Sequence, residues 1–207
     1  MERSTTRFEA FSDGVFAFAI TLLVLDLSVG GARGDTTPDL VRALAGHWPK
    51  FLSFLLSFAT ILILWMNHHA LFDWVVRANG PLMVANGVVL LLVVLVPFTT
   101  ALLGDHLDGP AANAAAVVYT AVLTLVAVAF RWVWAVVTGD RATLAPGLPD
   151  AEVRLTNRYL LFGFLAQLAA VALALWSAKA AVALTLALAA FWLGNAYRRH
   201  RAAPEPA

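Results

Sequence analysis

The stretch RFEAFSDGVFAFAITLLVLDL, residues 7–27, starts with Arg7, Glu9, Ser12 and Asp13 and runs straight into apolar sequence. A helix rises about 1.5 Å per residue, so about 20 apolar residues cross a hydrocarbon core of roughly 30 Å. This stretch is long enough to do so. Arg3 and Arg7 in front of it give a slight likeness to a secretory leader, but the apolar run is too long and lacks a small-residue cleavage site. It is expected to stay as a membrane helix with charges at its mouth.

The rest of the chain has the same character. Of 207 residues, 61% are hydrophobic and 13% charged, with a mean hydropathy of +0.79, against roughly half apolar and a quarter charged in soluble domains. That balance belongs to an integral membrane protein. A net charge of +1 provides no field for nucleic acid, and the absence of cysteine excludes disulfides, thiolate metal sites and a cysteine nucleophile. Six segments are long and apolar enough to span: 9–29, 48–68, 80–103, 112–137, 157–177 and 179–198, followed by a tail at 199–207. Only helices and closed barrels satisfy the backbone in lipid, and these segments lack the alternation of barrel strands. The expected fold is an all-α membrane protein, one bundle of six transmembrane helices over residues 1–207, without a second domain or internal repeat.

Six spans put both termini on one side. Arg3, Arg7, Arg77, Arg131, Arg141, Arg154, Arg158, Arg198, Arg199 and Arg201 fall on that side, and only Arg33, Arg42, Lys50 and Lys179 fall opposite. Positive charge favours the cytoplasm, so both termini are expected there. Trp48, Trp74, Trp176 and Trp192 lie near helix ends, where amphipathic rings sit among headgroups. The outer loop GGARGDTTPDLVRALAGH is expected to hold a short amphipathic helix starting at Thr37–Pro38, and the prolines of GDRATLAPGLPDAEVRLTN break the chain before a helix restarts near Asp150.

On a helical wheel Phe11, Gly14, Val15, Phe18, Leu22, Leu25 and Val29 share an arc of roughly 100°, flanked by Thr21. Such a stripe ordinarily packs against helices or lipid; lining a path is the alternative. Asp13 points about 200° away from Phe11, into the bundle, where a carboxylate needs partners. The second span ends in WMNHHALFDW, which brings Asn67, His68, His69 and Asp73 to the depth of Arg7, Ser12 and Asp13. A polar network joining the first two spans satisfies them. Neighbouring histidines diverge by about 100°, unlike the i, i+4 spacing of metal-binding helices, so no metal is expected and His68 and His69 read as structural, a proton sensor being the alternative. Asp26, about 60° from Phe11, either gathers cations at an outer entrance or bonds at the interface. Arg131 in FRWVW snorkels, YRRHR reads as topology charge or an anionic-lipid patch, and one arginine makes no voltage sensor.

Arg7, three residues, then Phe11-Ser12-Asp13, continued by GVFAFAITLLVLDL and matched by the NHH ending of the second span, resembles the transmembrane protein 175 family of lysosomal and prokaryotic potassium channels. The resemblance implies a homotetramer in a prokaryotic cell membrane, with four copies of the first helix around a path for K+ and other monovalent cations. Its partners would be its own copies and membrane lipid, with no cofactor. It also implies no TVGYG carbonyl filter, and the chain contains none. The family's constriction, usually isoleucine or leucine seven positions after the motif phenylalanine, falls on Phe18, with Thr21 or Leu22 and then Leu25 beyond it; a rotated helix would present Ile20 instead. Against a secondary transporter, the spans carry no mid-membrane charge and no pair of broken helices, although Pro97 interrupts the third. A membrane enzyme built on His68, His69 and Asp73 lacks a nucleophile or a full metal set.

Overall fold

The computed structural model describes residues 5–27, 36–140 and 142–202, with no side chains described beyond residue 195. Arg3, Val29, Arg33 and Arg141 lie outside the described residues, as do the side chains of the YRRHR segment. The described chain is almost entirely helical. Helix α1 spans Thr5–Leu22 and tightens into a 3-10 turn, Leu23–Asp26; α2 is Thr37–Gly46, α3 Trp48–Phe72, α4 Gly80–His106, α5 Ala112–Gly139, α6 Asp150–Ala174 and α7 Ala178–Ala202. Six are long and apolar enough to cross a membrane, α2 being the exception. The chain is a multi-pass membrane protein.

The spans differ from expectation at their ends. The first begins at Thr5 rather than at residue 9, so Arg7 is helical as well; the helix of the fifth extends beyond the apolar span back to Asp150, the restart expected from the prolines before it, because Pro149 is extended and Asp150 and Glu152 suit the positive end of a helix. Helix α4 passes through Pro97 without a break; the Thr100 hydroxyl donates to the Val96 carbonyl at 2.8 Å, and its oxygen lies 2.7 Å from the Ser57 hydroxyl, from which it can accept. Helices α3, α4 and α5 form the centre, α1 packs on α3 and α4, and the α6–α7 pair closes the other side. Ala170, Ala174, Ala178 and Ala181 are buried around the α6–α7 turn, small enough for close backbone approach. Asn113 Oδ1 accepts from the Ala178 amide at 2.9 Å and fixes the start of α7. At the far end of α4, Gly104 faces Lys50, whose Cα would lie 3.1 Å from a Cβ at that position. A side chain at that position would have to push α3 away by a few tenths of an ångström.

The connections at the N-terminal end of α1 are tied together. Val76 donates to the Thr143 carbonyl at 3.0 Å and Ala145 to the Trp74 carbonyl at 2.8 Å, joining the α3–α4 loop to the α5–α6 loop. Asp140 anchors the second loop, accepting from the Ala142 amide and Asn79 Nδ2, each at 3.0 Å, and from Thr143 Oγ1 at 3.2 Å. These donors, the Ala142 amide foremost and then Asn79, hold its carboxyl below the ordinary 3.8. A depressed folded-state value means the stabilisation is fully present above the ordinary value and is lost as pH falls through the depressed one. Amide protection at Val76 and Ala145 is therefore expected to hold down to about pH 4 and to drop below it. In Asp140→Ala it should be weaker at neutral pH and no longer fall in acid; hydrogen exchange read by mass spectrometry checks both.

Candidate functional site

Helix α1 has two faces. Ser12, Phe16 and Ala19 are buried against α3 and α4, and Leu23 continues the row into the 3-10 turn. Steps of four and three keep these side chains on one side. On the other side Phe11 is 66%, Phe18 61% and Leu25 70% exposed, with Gly14 and Thr21 open between them. Val15, Ile20 and Leu22 are half-buried, so Thr21 stands more fully on the open face than Leu22, and Ile20 packs against the core. The Thr21 hydroxyl donates to the Phe18 carbonyl at 2.8 Å, leaving its oxygen able to accept.

The 3-10 turn re-aims the side chains beyond Leu22. With about three residues per turn, side chains i and i+3 eclipse, so Asp26 stands over buried Leu23 rather than near the Phe11 stripe, where continued α-helical spacing would put it. It lines a small cavity with Lys50, Thr100 and Asp105, in which Lys50 Nζ lies 2.7 Å from Asp105 Oδ1. The expectation that Asp26 flanks the apolar stripe is corrected by that change of helical pitch.

Below the open face, three helices meet in a buried relay. The His68 Nε2–H donates to Asn86 Oδ1 at 2.7 Å, Asn86 Nδ2 donates to Ser12 Oγ at 3.0 Å, and the Ser12 hydroxyl donates to the Phe8 carbonyl at 3.0 Å. Asn86 fixes the polarity, since its carbonyl can only accept and its amino group only donate. The His68 ring stacks on Phe72 at 4.3 Å between centroids, with Phe16 at 5.3 Å and the edge of Phe130 at 6.3 Å. All three polar side chains are buried, and α1, α3 and α4 are locked at one register.

The other motif residues are placed differently. Asp13 is exposed and accepts from Trp65 Nε1 at 2.9 Å, while the Trp65 ring stacks on His69 at 5.8 Å. Asn67 turns toward a cavity shared with α5, α6 and α7, away from Ser12. Arg7 is exposed and has no hydrogen-bond or ion-pair partner among the described residues. No group of three or more metal-ligating side chains is found among the described residues. The structure thus brings Ser12 and His68 together through Asn86 and joins Asp13 to the second span through Trp65.

A family model described as the endosomal/lysosomal potassium channel TMEM175 matches residues 7–97. A potassium channel of Chamaesiphon minutus is 41% identical over 192 residues, which is 92% of this chain and 94% of that protein. This chain belongs to the TMEM175 family. A second relative, a potassium channel of Streptomyces collinus, is 39% identical over 178 residues, covering 86% of this chain and 85% of the other. A crystal structure of a lysosomal potassium-selective channel TMEM175 homologue from Chamaesiphon minutus aligns with a TM-score of 0.83 at 40% identity, over 93% of this chain and 97% of that one. The TMEM175 match begins at Arg7 and contains the relay and the Asp13–Trp65 bond, so the features that tie α1 to its neighbours lie within the region matched to the family.

Asn86 and Trp65 escape a reading centred on charges and histidines. Both had a signal: an amide inside the apolar run MVANGVVLLLVV and an indole beside the HH pair each need a partner in lipid. Replacing Asp13 with alanine removes the Trp65 bond without orphaning a deeply buried group. It is expected to cost about 1 kcal/mol, read by thermal unfolding, with Asp13→Asn restoring the acceptor and most of the loss.

Proposed function

We propose that this chain is a potassium-permeable cation channel, formed by four copies whose α1 helices enclose the path with their Phe11, Phe18, Thr21 and Leu25 faces. The observation carrying the reading is that α1 buries one face in its own protomer and leaves Phe11, Phe18 and Leu25 open in a row on the other, with Gly14 and Thr21 between them. One helix cannot enclose a path, so the row requires further copies; the number four comes from the family likeness. Permeation of K+ is supported by the potassium channels to which the chain is similar.

In this reading Phe18 forms the constriction. Apolar rings offer an ion no ligand in place of its water, so a narrow ring of them blocks by dewetting, and the path opens when α1 moves outward or rotates. Leu25 adds a second apolar layer, and Thr21 between them offers an oxygen to a passing cation. The relay from His68 to Ser12 and the bond from Trp65 to Asp13 hold the N-terminal end of α1 to α3 and α4, a fixed base about which its far end moves. The termini face the cytoplasm of a prokaryotic cell, as the excess of basic residues on that side favours. The six helices act as one channel domain that needs no cofactor and performs no catalysis.

Purified protein in planar bilayers under potassium and sodium gradients tests the proposal. Unitary currents reversing near the potassium equilibrium potential are expected. Slow, saturable, coupled flux without unitary currents would instead identify a transporter and sink the channel.

A further inference from the structure

Helix α2 is too short to cross a membrane and has no buried residue, yet it carries an apolar face. Leu40, Leu44 and Val41 fall within an arc of about 100° and are 48%, 39% and 58% exposed. Asp39 and Ala43, with His47 one turn further on, are half-buried and form the neighbouring flank. Arg42 stands about 160° from Leu44, its side chain 80% exposed and paired with Asp39 Oδ1 at 3.4 Å. Around its axis the helix therefore has a covered flank, an apolar flank and a charged one.

The place of α2 along the bundle decides what lies beneath it. His47 alone separates it from the membrane-crossing α3, and Pro49 in the first turn of α3 starts a new helix rather than prolonging α2. The 25 residues of α3 measure about 37 Å against roughly 30 Å of hydrocarbon, so even untilted its first residue lies within about 7 Å of the boundary. Lys50 and Asp105, paired at 2.7 Å, and Lys179 and Asp108, at 3.4 Å, mark the headgroup level at this end, because charges are costly in hydrocarbon. Trp48, 44% exposed, stands at that level too. A helix lying beside the bundle there meets protein on one flank, lipid beneath and water above, which is the order of sides that α2 carries.

We propose that α2 is an interfacial helix that binds the lipid surface at the C-terminal end of α1, with Leu40, Val41 and Leu44 sunk into the boundary between headgroups and acyl chains and Arg42 in water. Standing upright instead, α2 would carry Leu40 about 12 Å beyond Trp48 and leave three large apolar side chains in water. The attraction is apolar: Arg42 is the one cation of α2 and is already paired with Asp39, so the helix asks for no anionic headgroup. The surface does not depend on which side the termini face or on what α1 conducts.

The chain has no cysteine, so one introduced cysteine takes a nitroxide label at a chosen position. The test uses the full chain in phosphatidylcholine nanodiscs, labelled in turn at Leu44→Cys, Val41→Cys and Arg42→Cys, all at exposed positions. Power-saturation EPR then reads access to oxygen, which concentrates among acyl chains, and to a water-soluble nickel chelate. Labels at positions 41 and 44 should sit at a depth of about 5–10 Å, open to oxygen and shielded from nickel, and the label at position 42 should show the reverse. Two positions on the apolar flank keep one poorly folded variant from deciding the result. Nickel reaching positions 41 and 44 as readily as 42 would place that flank in water, and shielding from both reagents would place it against a second copy of the chain; either result overturns the proposal.

Discussion

Replacing Phe18 with alanine is expected to raise single-channel potassium conductance about tenfold and to weaken discrimination against sodium, corresponding to roughly 1.4 kcal/mol off the barrier to passage. In the proposed four-copy path, removing the ring of each copy would widen one level and let water stay with the ion, which would remove the dewetting penalty. Phe16 supplies the control. It lies on the opposite, buried face and contacts the His68 ring at 5.3 Å, so Phe16→Ala creates a cavity and should cost about 3–5 kcal/mol of stability. Single-channel recording and thermal unfolding on both variants separate the faces: Phe18→Ala changes conductance with little loss of stability, and Phe16→Ala does the reverse. Unchanged conductance and selectivity in Phe18→Ala would remove Phe18 from the constriction and turn attention to Thr21 and Leu25.

The six spans are legible from apolar length alone, because lipid leaves the backbone few other solutions. Their ends are less so. The first span reads as starting at residue 9, yet the helix begins at Thr5, since helix geometry continues wherever side chains find water or partners beyond the hydrocarbon. The stripe of α1 emerges from a spacing of about 100° per residue up to Leu22, and the same arithmetic fails at Asp26 because the pitch changes at Leu23. Nothing in LVLD announces a 3-10 turn. The motif residues Ser12, Asp13 and His68 stand out as polar groups at a helix mouth, but their partners come from other spans. Helical periodicity places Asn86 on a face of α4 without saying which neighbour that face meets, and only the packing of α4 against both α1 and α3 decides it.

That packing makes Asn86→Ala the most disruptive small change at the relay. Alanine leaves the His68 Nε2–H without an acceptor and the Ser12 oxygen without its donor, both buried. Each orphaned group costs about 1–3 kcal/mol, so a loss of roughly 2–6 kcal/mol is expected in thermal or denaturant unfolding. An intact interhelical hydrogen bond in a membrane protein is worth far less, about 0.6 kcal/mol on average. The two magnitudes separate the value of the relay from the penalty for breaking it. Removing all three polar groups together, as Ser12→Ala with His68→Leu and Asn86→Leu, should therefore recover much of the stability lost in Asn86→Ala, with apolar contacts replacing hydrogen bonds. What the triple variant cannot recover is direction, because leucine packs at more than one register whereas the relay fits one. Its channels should consequently show a broader spread of conductance levels than the wild type. If Asn86→Ala unfolds within about 0.5 kcal/mol of the wild type, the relay is not what holds α1 to α4, and the buried apolar row Phe16, Ala19 and Leu23 sets the register of α1 by itself.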